Sequence, residues 1–267
     1  MKRRVHTHPL ALAFCMLLAG SAAHAADAIE SQLLQTLHTR FPTIKVDTVE
    51  PSPIPGIYQV IAGNQVVYMD ASGDHLIVGN MMDTRTKENL TAAAIDEHES
   101  IDFNSLPFDE AIKIVKGNGA RRIALFEDPD CPYCRRLEQE DFAAMTNVTL
   151  YLFLLPLTSV HPHALEDSTA IWCSPDRGSA WTRWMLSSKW MLTRTPTLPG
   201  GSCADDPVGK IQQLAQKLRV NATPTLFLEN GRRIGGFIPR AQLESLLAQA
   251  SQPGSRRVLT SSQAVPN

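Results

Sequence analysis

Hydrophobic and polar positions change period several times along the chain. An apolar run over residues 10–20 follows Lys2, Arg3 and Arg4 and ends in Ala23-His24-Ala25. Basic, then apolar, then small is the layout of a secretory leader, so residues 1–25 are expected to be removed on export. The run is shorter than the roughly 20 residues a helix needs to cross a bilayer, and no later segment is long and apolar enough. Residues 27–40 then place Ile29, Leu33, Leu34 and Leu37 at helical spacing until Phe41-Pro42 stops them. Beyond residue 44 the period falls to two. Residues 44–49 alternate, 57–62 are apolar and β-branched, and Gly63-Asn64 turns the chain into 65–69. Ser72-Gly73-Asp74 turns it again before 75–78. Residues 26–82 therefore read as a small α+β domain, one helix plus an antiparallel meander. So short a unit buries little surface and its sheet edges need cover, which makes a second copy its natural partner.

Residues 83–105 are polar and contain neither Gly nor Pro. They predict a linker helix, or equally a solvated helix packed on one neighbour. The pattern then becomes α/β across residues 106–250. It predicts a helix over 107–116 stopped by Gly117-Asn118-Gly119, a strand over 121–127, helical texture after 131 and a buried strand over 148–155. Helices around 163–172, 179–187 and 208–218 follow, then strands at 224–228 and 232–235 about an Asn230-Gly231 turn, and a last helix at 239–250. Residues 251–267 are polar with scattered Pro and Ser and read as a disordered tail.

Composition narrows the classes. The chain has 267 residues, 43% of them hydrophobic, with 25 Lys+Arg against 27 Asp+Glu. That balance suits a globular protein and supplies no broad cationic face for nucleic acid. Of five cysteines, Cys15 lies in the leader, leaving Cys131, Cys134, Cys173 and Cys203. An even set in an oxidising compartment is expected to pair.

The chemistry centres on Cys131-Pro132-Tyr133-Cys134, at the junction of a predicted strand and helix. A sulfur at a helix start faces unpaired N–H groups, which favour the thiolate that attacks disulfides. Cys134, one turn on and deeper, can resolve a mixed disulfide. Pro132 loses no N–H bond at the first turn and stiffens it, while Tyr133 can lie as an apolar lid. Zinc is the weaker reading of these thiols, because Cys173 and Cys203 form no second CxxC and His161 and His163 flank Pro162 in a loop. Cys173 and Cys203 read instead as a structural disulfide closing a helical insertion. Thr223-Pro224 precedes a strand. The proline is either a plain strand-edge residue or, in a redox domain, part of a cis peptide that presents a backbone edge to an extended substrate. Glu127 and Asp128 could assist proton transfer to Cys134, but exposed loop acids are the preferred reading. Trp172, Trp181, Trp184 and Trp190 are expected mainly to pack the insertion.

Phe126-Glu127-Asp128-Pro129-Asp130-Cys131-Pro132-Tyr133-Cys134, then Ala170-Ile171-Trp172-Cys173, Ala222-Thr223-Pro224 and Asn230-Gly231 follow in the order and spacing of bacterial periplasmic disulfide isomerases. The chain resembles this DsbC/DsbG family over nearly its whole length, and His75-Leu76-Ile77-Val78-Gly79 resembles the family's dimerisation domain. The resemblance implies a periplasmic homodimer joined through the N-terminal domains, with linker helices carrying thioredoxin-like folds. It also implies attack on misfolded exported proteins, a membrane reductase of the DsbD type as electron donor, and no cofactor. By position, Cys131 would be the nucleophile and Cys134 the resolving thiol. Pro132, Tyr133, Thr223 and Pro224 would line the substrate site, and Cys173 with Cys203 would form the structural disulfide. Pro132 stands where the typical isomerase has Gly, and Cys-Pro-Tyr-Cys also resembles glutaredoxins. Two alternatives therefore stay open, a thiol oxidase and a cleft-binding chaperone with secondary redox activity.

Overall fold

In a computed structural model that describes residues 16–187 and 203–252, the chain divides into two units, Met1–Ile95 and Asp96–Asn267. Most of the expected leader (residues 1–15), Trp190 and nearly all of the expected tail (253–267) lie outside the described residues. The first unit opens with helix α1 (Met16–Arg40), which starts well before the predicted residue 27. Strands β1 (Thr48–Pro51), β2 (Ile57–Ala62), β3 (Gln65–Asp70) and β4 (Leu76–Val78) form an antiparallel sheet in chain order. The β2–β3 hairpin closes at Ala62↔Gln65 through Gly63, whose φ of +62° a side chain would resist. Leu33 and Leu37 of α1 pack on Val49, Tyr58, Val60 and Met69 from one face of the sheet. The other face presents Ile61, Val66 and Tyr68, covered by Met81, Ala94 and Ile95. There the Tyr68 hydroxyl meets the Thr91 hydroxyl at 2.5 Å. At the sheet edge, β4 leaves Leu76, Ile77 and Val78 exposed, Val78 by 76%.

Within residues 83–105 the regular helix is α2 (Leu90–His98). Ahead of it Asp83 folds a turn by accepting from the N–H groups of Arg85 and Thr86, and Asn89 Oδ1 accepts from Ala92 N–H.

The second unit is built on a mixed sheet ordered β5-β7-β6-β8-β9. Its strands are β5 (Ile112–Lys116), β6 (Arg121–Glu127), β7 (Val148–Leu154), β8 (Thr225–Leu228) and β9 (Arg233–Gly235). Helices α3 (Pro132–Arg136), α4 (Ala164–Trp172), α5 (Arg177–Leu186), α6 (Val208–Lys217) and α7 (Arg240–Ala250) cover its faces. The central β6 runs parallel to β7 and antiparallel to β8. The helix expected over 107–116 is not formed. One 3-10 turn at Phe108–Glu110 leads into β5, which pairs antiparallel with β7 from Ile112↔Leu152 to Lys116↔Val148. Phe108, Ile112 and Val115 happen to fall at helical spacing, but Ile112-Lys113-Ile114-Val115-Lys116 is rich in β-branched residues and alternates in burial, so the strand wins.

The pleat of β6 divides the core. Ile123 and Leu125 face Cys134, Leu137, Trp181 and Leu243, whereas Ala124 and Phe126 face Phe153, Ile211 and Phe227. Residues 99–106 dock on the second side, burying Ile101, Phe103 and Leu106. Ile101 N–H donates to Gly231 O at 3.1 Å, and Asp96 and Glu99 pair with Arg232 and Arg233 at 2.7 and 3.5 Å. No helix of the described residues is long and apolar enough to cross a membrane.

Candidate active site

Strand β6 ends at Glu127, and the loop 128–130 delivers Cys131 to the start of α3. Cys131 has extended backbone (φ −72°, ψ 121°), and Pro132 follows at the first helical position, where its missing N–H costs nothing. Cys131 N–H donates to Asp128 O at 3.1 Å, which closes the turn. Both cysteines carry unbonded thiols and both are buried, Cys134 completely. Their environments push them apart. The Cys134 thiol above all, then the Thr223 side chain and the N–H groups of Cys134 and Tyr133, favour the charged form of the Cys131 sulfur and lower its pKa from 9.0 to about 6, outweighing its burial. Burial pushes Cys134 well above 9.0, and the hydrogen bond to Cys131 and the nearby Glu127 carboxyl act in the same direction.

The peptide between Thr223 and Pro224 is cis. It brings the Thr223 carbonyl to 3.4 Å from Cys131 Sγ, which donates to it. The Thr223 hydroxyl is buried and has no hydrogen-bond partner among the described residues. The fold thus gathers Cys131, Cys134, Thr223 and Pro224 from distant parts of the chain, while Pro132 is exposed and Tyr133 stands 60% exposed beside them.

Two acids depart from expectation. Glu127 and Asp128 are not exposed loop residues; both have 0% exposure. Glu127 takes an inward position of β6, and Asp128 organises the loop. Its carboxylate accepts from the N–H groups of Asp130 and Leu157, each at 2.7 Å, and meets His161 Nδ1 at 3.0 Å. His161 is therefore tied to the site, whereas His163 meets Glu166 at 3.9 Å on the surface. A third acid, Glu138, escapes sequence reasoning. It is buried and accepts from Trp181 Nε1 at 2.8 Å. The available signal was its place four residues after Cys134, on the same helical face.

Cys173 and Cys203 are joined, closing a span of 30 residues that contains α5. Arg177 stacks on Trp172 at 3.7 Å, and Trp172 Nε1 donates to Asp205 O at 2.9 Å beside that bond. From α5, Trp184 Nε1 donates to Pro129 O at 2.9 Å, while Arg135 donates to the carbonyls of Trp184 and Met185 at 2.8 and 2.7 Å. The insertion thereby holds both the loop before Cys131 and the helix after it. These three tryptophans pack and anchor as expected.

Similarity to known proteins runs through both units. A family model described as disulfide bond isomerase protein N-terminal domain matches residues 22–92, and one for a thioredoxin-like domain matches residues 108–251. The probable thiol:disulfide interchange protein DsbC of Bordetella avium is 34% identical over 223 residues, covering 84% of this chain and 76% of that one. The thiol:disulfide interchange protein DsbC of Escherichia coli K12 is 26% identical over 239 residues, covering 88% and 93%. A crystal structure of a disulfide interchange protein from Neisseria gonorrhoeae aligns at 41% identity with a TM-score of 0.49, over 55% of this chain and 100% of that chain. With both domains matched in the same order and the Bordetella relative aligned along most of its length, the chain belongs to the DsbC family of thiol:disulfide interchange proteins.

Proposed function

We propose that this thiol–disulfide oxidoreductase works in the periplasm on wrongly paired disulfides of exported proteins, with Cys131 as nucleophile and Cys134 as resolving thiol. The asymmetry of the two sulfurs carries the reading: near neutral pH the first is a thiolate, its pKa about 6, and the second holds its proton. Cys131 attacks one sulfur of a client disulfide, forming a mixed disulfide and releasing the other client sulfur as thiolate. That thiolate can attack a different client disulfide, and a return attack frees Cys131, which is isomerisation. Alternatively Cys134 attacks Cys131 Sγ, releasing a reduced client and leaving a Cys131–Cys134 disulfide. A membrane reductase of the DsbD type would then restore the two electrons. The backbone around Thr223 and Pro224 supports an extended client segment, with Pro132 and Tyr133 beside it.

On this reading residues 1–25 are the export leader, 26–82 a dimerisation domain, 83–105 a linker, 106–250 the catalytic domain and 251–267 a tail. The exposed aliphatic edge at β4 supports a homodimer. A second reading, a thiol oxidase, is favoured by the same low pKa, because stabilising the thiolate stabilises the dithiol and makes the disulfide more oxidising.

Refolding of a protein with scrambled disulfides, in a glutathione buffer, separates these readings. The chain should restore activity to the scrambled substrate and Cys131→Ser should lose this, while suppression of aggregation of a cysteine-free client is unaffected. Oxidation of a fully reduced client without rescue of the scrambled one would establish the oxidase instead.

A further inference from the structure

Trp184 grips the Cys131–Cys134 motif from both sides. Its indole Nε1 donates to Pro129 O at 2.9 Å, two residues before Cys131, and its own carbonyl accepts from Arg135 Nη1 at 2.8 Å, one residue after Cys134. The two partners belong to different pieces of chain, Pro129 to the loop after β6 and Arg135 to α3. Pro129 has no N–H, so the carbonyl is its only backbone hydrogen-bonding group. The loop leads into the Cys131 backbone, whose N–H donates to Asp128 O at 3.1 Å. The first turn of α3 carries the N–H groups of Tyr133 and Cys134, which bear on the Cys131 sulfur and favour its charged form. How well those groups point at the sulfur depends on how the loop is set against the turn, because a hydrogen bond weakens steeply as its angle closes. Trp184 is itself well seated. It packs, partly buried, against the core that holds Cys134, Leu137 and, from its own helix, Trp181 and Met185. Gln139 adds a further tie, its Nε2 donating to Met185 O at 2.8 Å, but this one reaches the stretch after α3 and not the loop before Cys131.

We propose that Trp184 is a positioning residue for the disulfide chemistry: it clamps the loop before Cys131 to the helix after it, so that the N–H groups of Tyr133 and Cys134 stay aimed at Cys131 Sγ. This rests on the reading of Cys131 as nucleophile. The indole acts through the backbone and not on the sulfur itself. A loosened clamp leaves the thiolate less favoured, and since the thiolate belongs to the reduced form, the balance with the Cys131–Cys134 disulfide moves with it. Trp184 thereby helps to set how strongly the pair oxidises, the property on which oxidase and isomerase differ.

Trp184→Phe keeps a ring in the core and removes the donor to Pro129, while the carbonyl that takes Arg135 remains. In the reduced full chain, the pH midpoint of iodoacetamide capture at Cys131 is expected to rise from about 6 by about one unit. At neutral pH that change moves the dithiol–disulfide equilibrium against glutathione about fivefold toward the disulfide. Gln139→Ala loosens the same end of α5 without touching the loop, and it is expected to leave both readouts unchanged. Trp184→Met, which also lacks the donor, serves if Trp184→Phe does not fold. If the unaltered chain shows no capture that disappears in Cys131→Ser, the reading of Cys131 as nucleophile itself fails. Given that capture, an unmoved midpoint and equilibrium in the Trp184 variant would overturn the proposal. An equal shift in Gln139→Ala would overturn it too, by showing a general loosening of α5 instead of a clamp on the loop.

Discussion

Thr223 shows how much one buried hydroxyl can matter. It has no hydrogen-bond partner in the neutral site, and it favours the thiolate of Cys131 over the thiol. Thr223→Val should therefore raise the Cys131 pKa from about 6 by about one unit, the equivalent of one hydrogen bond to a charged group. The rate of iodoacetamide capture against pH gives the midpoint directly, and an unmoved midpoint would show that the hydroxyl does not reach the sulfur. The sign of the linked stability follows from a pKa lowered in the fold. In the reduced protein the thiolate contributes its full stabilisation above about 9.0, loses it as pH falls, and contributes nothing below about 6. At this scale the cysteines were legible because their chemistry is written in type and spacing. Glu138 was not: an acid in a polar helical stretch reads as solvated, and its burial depends on Trp181, 43 residues further along. Glu127 had a local signal, the alternation of β6, which the neighbouring loop acids obscured.

Among the elements, the turn between β8 and β9 sets the tightest tolerance. Gly231 has a φ of +87°, and a Cβ there would stand 2.2 Å from Ile101 O. Gly231→Ala must either strain that turn or detach residues 99–106, which bury Ile101, Phe103 and Leu106 against the sheet. We expect a loss of about 2–4 kcal/mol, measurable by urea unfolding, with the chemistry at Cys131 preserved in the folded fraction. Asn230-Gly231 was readable as a turn, but the close approach of Ile101 was not, since it joins positions 130 residues apart. The missed strand β5 has the same origin. Five residues with both a plausible helical face and a two-residue alternation are decided by an open edge on β7, and that edge exists only once the sheet has formed.

For the whole molecule the two-part order was plain, because the switch from period two to a mixed α/β pattern spans many residues. The first unit places Leu76, Ile77 and Val78 on an edge strand with their side chains exposed. Val78→Asp should convert the chain from twice its own mass to a single copy in light scattering; a mass still doubled would place the contact elsewhere. Where a working unit needs two copies, its yield rises with the square of their number while they are scarce. That open rim on β4 would thus make the cell's rate of synthesis and export, as much as the chemistry of any sulfur, govern how much disulfide repair is on hand.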